Sequence, residues 1–168
     1  RKEQAKAALE AQQQAAAKLF VKDVEAPARA ALDKRKEQAV GRAAAVEQLQ
    51  GVAGVVVEGL PQPELNDVYL PAGEHEGWPR FESGQGKHLF RSIHWKKWCL
   101  GSKMDAMDAA GKSRQADVMD MQPGLLPVGD QSWQAVVDGG WKEAALTVSL
   151  LASAEAVAEQ TEWLRLVR

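Results

Sequence analysis

Residues 133–151 read WQAVVDGGWKEAALTVSLL, and this stretch decides the fold class. Asp138-Gly139-Gly140 supplies residues that enter the left-handed region at little cost, as a two-residue hairpin turn between twisted strands requires. On one side lies Trp133 to Val137. On the other, Leu146, Val148 and Leu150 alternate with Ala145, Thr147 and Ser149, the period of a strand with one buried face. The reading is a β-hairpin, and it makes the surrounding sequence a β domain.

Working back from this hairpin, short strand candidates recur between turn residues. Val55-Val56-Val57 is a β-branched run ended by Gly59 and Pro61; Val68-Tyr69-Leu70 is expected to stop at Pro71 and Gly73. Trp78 to Phe81 and Lys87 to Arg91 flank Ser83-Gly84-Gln85-Gly86, a second hairpin signal. Trp95 to Leu100 and Ala116 to Met119 are further candidates, with residues 102–114 reading as a long loop between them. Seven or eight strands in this span predict a small antiparallel barrel or sandwich over residues 51–151. Residues 152–168 return to helical composition, with Val157, Trp163, Leu164 and Val167 expected on one apolar face.

Upstream the chemistry changes. Residues 1–50 hold 15 Ala and a single aromatic, Phe20, whereas all six Trp lie beyond residue 51. Ala, Gln, Lys, Glu and Leu favour helix, so residues 1–50 read as a helical arm. Pro27 removes a backbone donor and disfavours helical geometry at Ala26, which predicts a break or kink there. The fold class is therefore α+β: an Ala-rich N-terminal helical arm, an antiparallel β barrel or sandwich, and a C-terminal helix.

The arm's large apolar residues are few. Leu9, Phe20, Val24, Leu32, Val46 and Leu49 form a seam too thin for a core of its own, so they are the candidate partner-binding residues. Packed against another protein, such a seam would anchor the chain to a larger assembly.

Charge and motifs narrow the remaining choices. The chain has 168 residues, 21 basic and 23 acidic, giving a net charge of −2. The arm carries 10 basic and 7 acidic residues, and the rest 11 and 16. The basic residues Lys87, Arg91, Lys96 and Lys97 lie among aromatics in an acidic module, which argues against nucleic acid as the partner. One cysteine, Cys99, precludes an internal disulfide and a multi-cysteine zinc site. His88, His94 and Cys99 match no zinc spacing, and in an extended Glu74-His75-Glu76 alternate side chains face opposite ways. No metal, cofactor or catalytic residue is assigned, and an enzyme is not expected. The alternative to an adaptor is a module that holds a sugar or peptide in an aromatic cleft of Trp78, Trp95 and Trp98. No apolar run approaches the ~20 residues of a membrane span.

Residues 66–91, NDVYLPAGEHEGWPRFESGQGKHLFR, with the Leu126–Trp133 turn and Gly140-Trp141-Lys142-Glu143, resemble a Trp/Gly-rich β module repeated in predicted proteins of dinoflagellates and other single-celled algae. The resemblance covers roughly 55–151 and brings no assigned activity. Such modules sit in repeats or beside unrelated domains, which implies binding or scaffolding. The chain starts at Arg1, with no Met before it, as after removal of an organelle-targeting segment or in a fragment. In an alga this fits a chloroplast, photosynthetic complex, with the cytoplasm the other expectation.

Overall fold

The computed structural model describes residues 1–104, 113–119 and 122–168. It divides into two compact units, Arg1–Val40 and Gly41–Arg168. The second unit therefore starts ten residues before the expected boundary at 51. Of the long loop expected over 102–114, residues 105–112 lie outside the described residues.

The first unit is helical. Helix α1 (Lys2–Phe20) passes through a π-helical turn (Val21–Glu25) into helix α2 (Ala26–Leu49). The expected break at Pro27 is thus a change of hydrogen-bond register within a continuing helix. The N–H of Ala26 donates to the Val21 carbonyl, five residues back. Pro27 has no N–H for the carbonyl four residues before it, and its ring crowds that group in an α-helix. The wider turn accommodates both, and Pro27 falls in the first turn of α2, where proline is tolerated.

The second unit is a closed antiparallel barrel of eight strands, each paired with its sequence neighbours and the last with the first. The strands are β1 (Gly54–Glu58), β2 (Val68–His75), β3 (Trp78–Ser83), β4 (His88–Ser92), β5 (Lys97–Gly101), β6 (Arg114–Met119), β7 (Gly129–Val137) and β8 (Gly140–Leu151). Of the two architectures expected, the barrel is the one formed. It leaves no open edge strand. The hairpin that decided the fold is present: Val137 pairs with Gly140, and Asp138 and Gly139 have φ of 52° and 78°.

Strand β2 corrects the sequence reading, because it runs through Pro71 and Gly73 instead of stopping. The register against β3 shifts between Pro71 and Glu74, and Gly73 takes φ 84°. This bulge absorbs the residues that looked like a terminator. Glu74-His75 consequently belongs to the end of the strand, and Glu76-Gly77 alone makes the turn.

Alternation sets the core. Val55, Val57, Tyr69, Phe81, Leu89, Trp98, Leu100, Ala116, Trp133, Leu146 and Val148 belong to one buried cluster, the packed interior expected of an eight-stranded barrel. Ala116 faces Ala135 and Trp133 faces Ala144 across adjacent strands, so small residues make room for the indoles. Val56, Val68 and Leu151 form a second cluster with Leu164 of helix α3 (Ala154–Val167). That helix is capped by the Ser153 hydroxyl, which accepts from the Ala156 N–H at 3.1 Å. Val157 and Leu164, seven residues apart, take the inner face, but Trp163 and Val167 are exposed rather than joining them.

The last turns of α2 belong to the barrel unit. Gly41, Ala45 and Leu49, four residues apart on one face, are buried, and Ala45 and Leu49 join the main core. Gln48 locks this helix to the β6–β7 connection: its Nε2 donates to the Leu126 carbonyl and its Oε1 accepts from the Leu126 N–H, both at 2.8 Å. Around the β1–β2 connection, Asn66 exchanges two 2.8 Å bonds with Leu60, the Gln62 amide donates to the Val136 carbonyl, and the Tyr69 hydroxyl donates to the Leu65 carbonyl.

Candidate functional site

The aromatic cleft expected from Trp78, Trp95 and Trp98 is not formed. Trp98 is fully buried and donates its indole N–H to the Gly124 carbonyl at 3.1 Å. Trp78 is also buried, with the Arg91 guanidinium 5.1 Å from its ring centre. Both rings are consumed by the barrel core, since each offers a large apolar area to a small interior. Trp95 alone of the three reaches the surface, at 36% exposure. Its ring meets His94 edge-on, with centroids 4.7 Å apart.

Two residues that sequence reasoning missed sit beside Trp95. The Arg114 guanidinium lies 4.3 Å from the Trp95 centroid and 4.9 Å from that of Trp141. Arg114 Nε is also 3.2 Å from Asp117 Oδ2, and Lys97 Nζ is 3.1 Å from Asp117 Oδ1. Asp117 is a buried carboxylate on the outward-facing side of β6, between inward Ala116 and Val118. Alternation in the sequence already put Asp117 on the opposite face from those two. Only the β5–β6 register, which pairs Cys99 with Asp117, brings Lys97 near. The ensemble is a guanidinium stacked on two surface indoles and tied, with Lys97, to a buried carboxylate.

The basic residues considered for nucleic acid are dispersed in their roles. Arg91 is buried and donates to the Ser92 carbonyl at 2.6 Å; Lys97 pairs with Asp117; Lys87 donates to Gln115 Oε1 at 3.2 Å. Lys96 is exposed next to Trp95 in the turn that joins β4 to β5.

The polar candidates likewise separate. His75 is buried edge-on against Phe90 (centroids 5.2 Å apart), its Nε2 3.7 Å from Glu76 Oε2. His88 lies with Nδ1 3.8 Å from Glu82 Oε2 and 3.5 Å from Arg80 Nη1. Burial lowers the His88 pKa, Glu82 opposes this, and neighbouring Arg80 and His75 lower it further. Burial, with Asp67 adding to it, pushes the Tyr69 hydroxyl far above its ordinary range. Cys99 is a buried thiol. Among the described residues no three His, Cys, Asp or Glu side chains are grouped to hold a metal ion. Among them, too, no helix is long and apolar enough to cross a membrane.

The arm presents its side chains. Leu9, Phe20, Val24 and Leu32 are each more than half exposed, and α1 and the π turn contain no buried residue. Val46 is exposed on the last turns of α2. Leu49 departs from the expectation: it is buried in the barrel core with Ala45, so it stabilises the second unit and is not open to a partner. The reason is its spacing, one turn beyond Ala45 and two beyond Gly41.

The fold and surface define a class: an eight-stranded meander barrel, entered by the end of a helix and carrying an Ala-rich helical arm. No protein-family model, curated protein or solved structure matches this chain.

Proposed function

We propose that the chain is a non-catalytic accessory subunit or adaptor, whose arm attaches it to a larger protein assembly and whose barrel is the body so attached. One observation carries this reading. Leu9, Phe20, Val24 and Leu32 remain exposed on the arm, at 55, 59, 54 and 51%, while Leu49 of the same helical run is 7% exposed in the barrel core. Exposed large apolar side chains spaced along a helix gain stability only when another surface covers them. A barrel interior filled by side chains leaves the body a packed support. The likeness of residues 55–151 to modules found beside unrelated domains supports the same role, with an algal chloroplast complex as the proposed setting.

The test is a Phe20→Ala, Leu32→Ala double substitution in the full chain. Each lost contact is worth up to ~1.5–3 kcal/mol when fully covered, so the variant should leave the assembly it co-sediments with in native extract. The barrel's unfolding midpoint should stay unchanged. A control reversal, Lys96→Glu, should matter little; Lys97 is avoided because it pairs with buried Asp117. Retention of the arm variant, with release of the Lys96 variant, would place the attachment on the barrel and sink the proposal.

A further inference from the structure

Three separated elements meet on the outer face of the barrel. Trp95 lies in the turn between β4 and β5, Arg114 opens β6, and Trp141 stands second in β8. The Arg114 guanidinium sits over both indoles, 4.3 and 4.9 Å from their centroids. Its Nη1 is buried with no hydrogen-bond partner among the described residues, so the rings, rather than oxygen acceptors, hold that end of the cation. Asp117 fixes the other end. The Arg114 side chain is left 13% exposed, while Trp95 and Trp141 are 36 and 43% exposed. The rings therefore cover the cation, and the surface they leave open is turned away from it. At ~250 Å² for a whole indole side chain, that open surface amounts to about 200 Å². A stable protein interface needs several times more, so this surface is on the scale of a small molecule.

The guanidinium also selects among small molecules. An indole face attracts cations because its π cloud is negative, and a cation seated on one face draws that density away from the other. The open surface is thus a poor seat for a second cation, and for the C–H groups of a neutral sugar, which seek the same negative cloud. It favours an electron-rich ring. Fixed charge points the same way: Arg114 and Lys97 share one carboxylate, Asp117, and Lys96 is exposed beside Trp95. Glu143, two residues along β8 from Trp141, is drawn to the Ser132 hydroxyl of β7, 2.5 Å away. Even with Glu143 included, the set keeps a positive excess. We propose that this stack is a binding site for a small planar anion, an aromatic ring carrying a phosphate or a carboxylate. The ring stacks on the open indole surface, and the anionic group pairs with Lys96. This site stands apart from the arm, and neither reading depends on the other.

The experiment is an NMR titration of the full chain that follows the indole N–H signals. The probes are adenosine monophosphate, naphthoate, adenosine, cellobiose and tetramethylammonium. We expect saturable shifts of the Trp95 and Trp141 signals with both anions, at a dissociation constant of about 0.1–1 mM for a site open on one side. Adenosine should bind about tenfold more weakly than its monophosphate, and tetramethylammonium and cellobiose more weakly still. The tighter of the two anions tells whether phosphate or carboxylate is the preferred group. Trp141→Ala should weaken both anions by about tenfold or more. Lys96→Glu, which leaves the rings in place, should weaken both anions and leave adenosine unchanged. Both positions are exposed, and the urea midpoint reports whether each variant keeps its fold. If Trp141→Ala lowers that midpoint, Lys96→Glu decides. No saturable indole shift up to ~10 mM anion would overturn the inference. So would equal affinity for adenosine and its monophosphate, binding of tetramethylammonium or cellobiose as tight as that of the anions, or anion binding untouched by Lys96→Glu.

Discussion

Where the end of α2 meets the β6–β7 connection, Gly124 has φ 85°, and a Cβ built there would lie 2.1 Å from the Gly41 oxygen and 2.6 Å from its Cα. These are backbone atoms, which cannot swing aside. Gly124→Ala therefore costs ~1–2 kcal/mol for the left-handed backbone, and also parts the helix from the connection by about 1 Å. That movement strains three hydrogen bonds: the Gln48–Leu126 pair and the one from Trp98 to the Gly124 carbonyl. At ~1 kcal/mol each they add ~2–3, for a total of about 3–5 kcal/mol. Gly41→Ala offers a sharp contrast at the same contact. Its Cβ would stand 3.3 Å from the Trp78 ring and 3.4 Å from Gly124 Cα, tight but tolerable. It also gains up to ~1 kcal/mol of helix propensity, so its net effect should lie within ~1 kcal/mol of zero. The assay is urea unfolding of the full chain, followed by the emission of Trp78 and Trp98. With a slope of ~2 kcal/mol per molar, Gly124→Ala should lower the midpoint by about 2 M and Gly41→Ala by less than about 0.5 M. Equal midpoints for the two variants, or a Gly124→Ala midpoint at the wild-type value, would refute the packing argument.

Two further outcomes follow from the barrel's charged groups. Asp117→Asn keeps shape but leaves Lys97 and the half-buried Arg114 without their carboxylate, so it should destabilise the barrel by about 2–4 kcal/mol in the same unfolding assay. Lys97→Gln should cost less, because Lys97 is the more exposed partner. His88 has a folded pKa below its unfolded value, so the unfolded chain takes up its proton first as pH falls. Stability from this group is complete above the ordinary His pKa of ~6.5 and declines as pH drops from there to the lower folded value. His88→Gln should flatten that part of a stability–pH curve, and an unchanged slope would reject the assignment.

The local chemistry of the chain was enough to specify much of this molecule. Ala-rich composition specified the helical arm, and Asp138-Gly139-Gly140 with the alternation after it specified a hairpin, because turn geometry and face alternation are decided within a few residues. Helical composition after residue 152 placed α3 for the same reason, whereas the Ser153 cap and the exposure of Trp163 and Val167 belong to the folded structure. What stayed hidden depended on partners distant in sequence. Closure of the sheet into a barrel rests on pairing β1 with β8, almost a hundred residues away. The extension of β2 through Pro71 rests on a bulge that only the register with β3 reveals. Trp78 and Trp98 looked available for a ligand, and their burial was settled by strand alternation around a closed interior. Leu49 and Leu32 look alike as residues of one helix, yet Leu49 enters the barrel core and Leu32 remains exposed. Propensity acts on the chain locally, whereas burial is a property of the surface that finally covers a side chain.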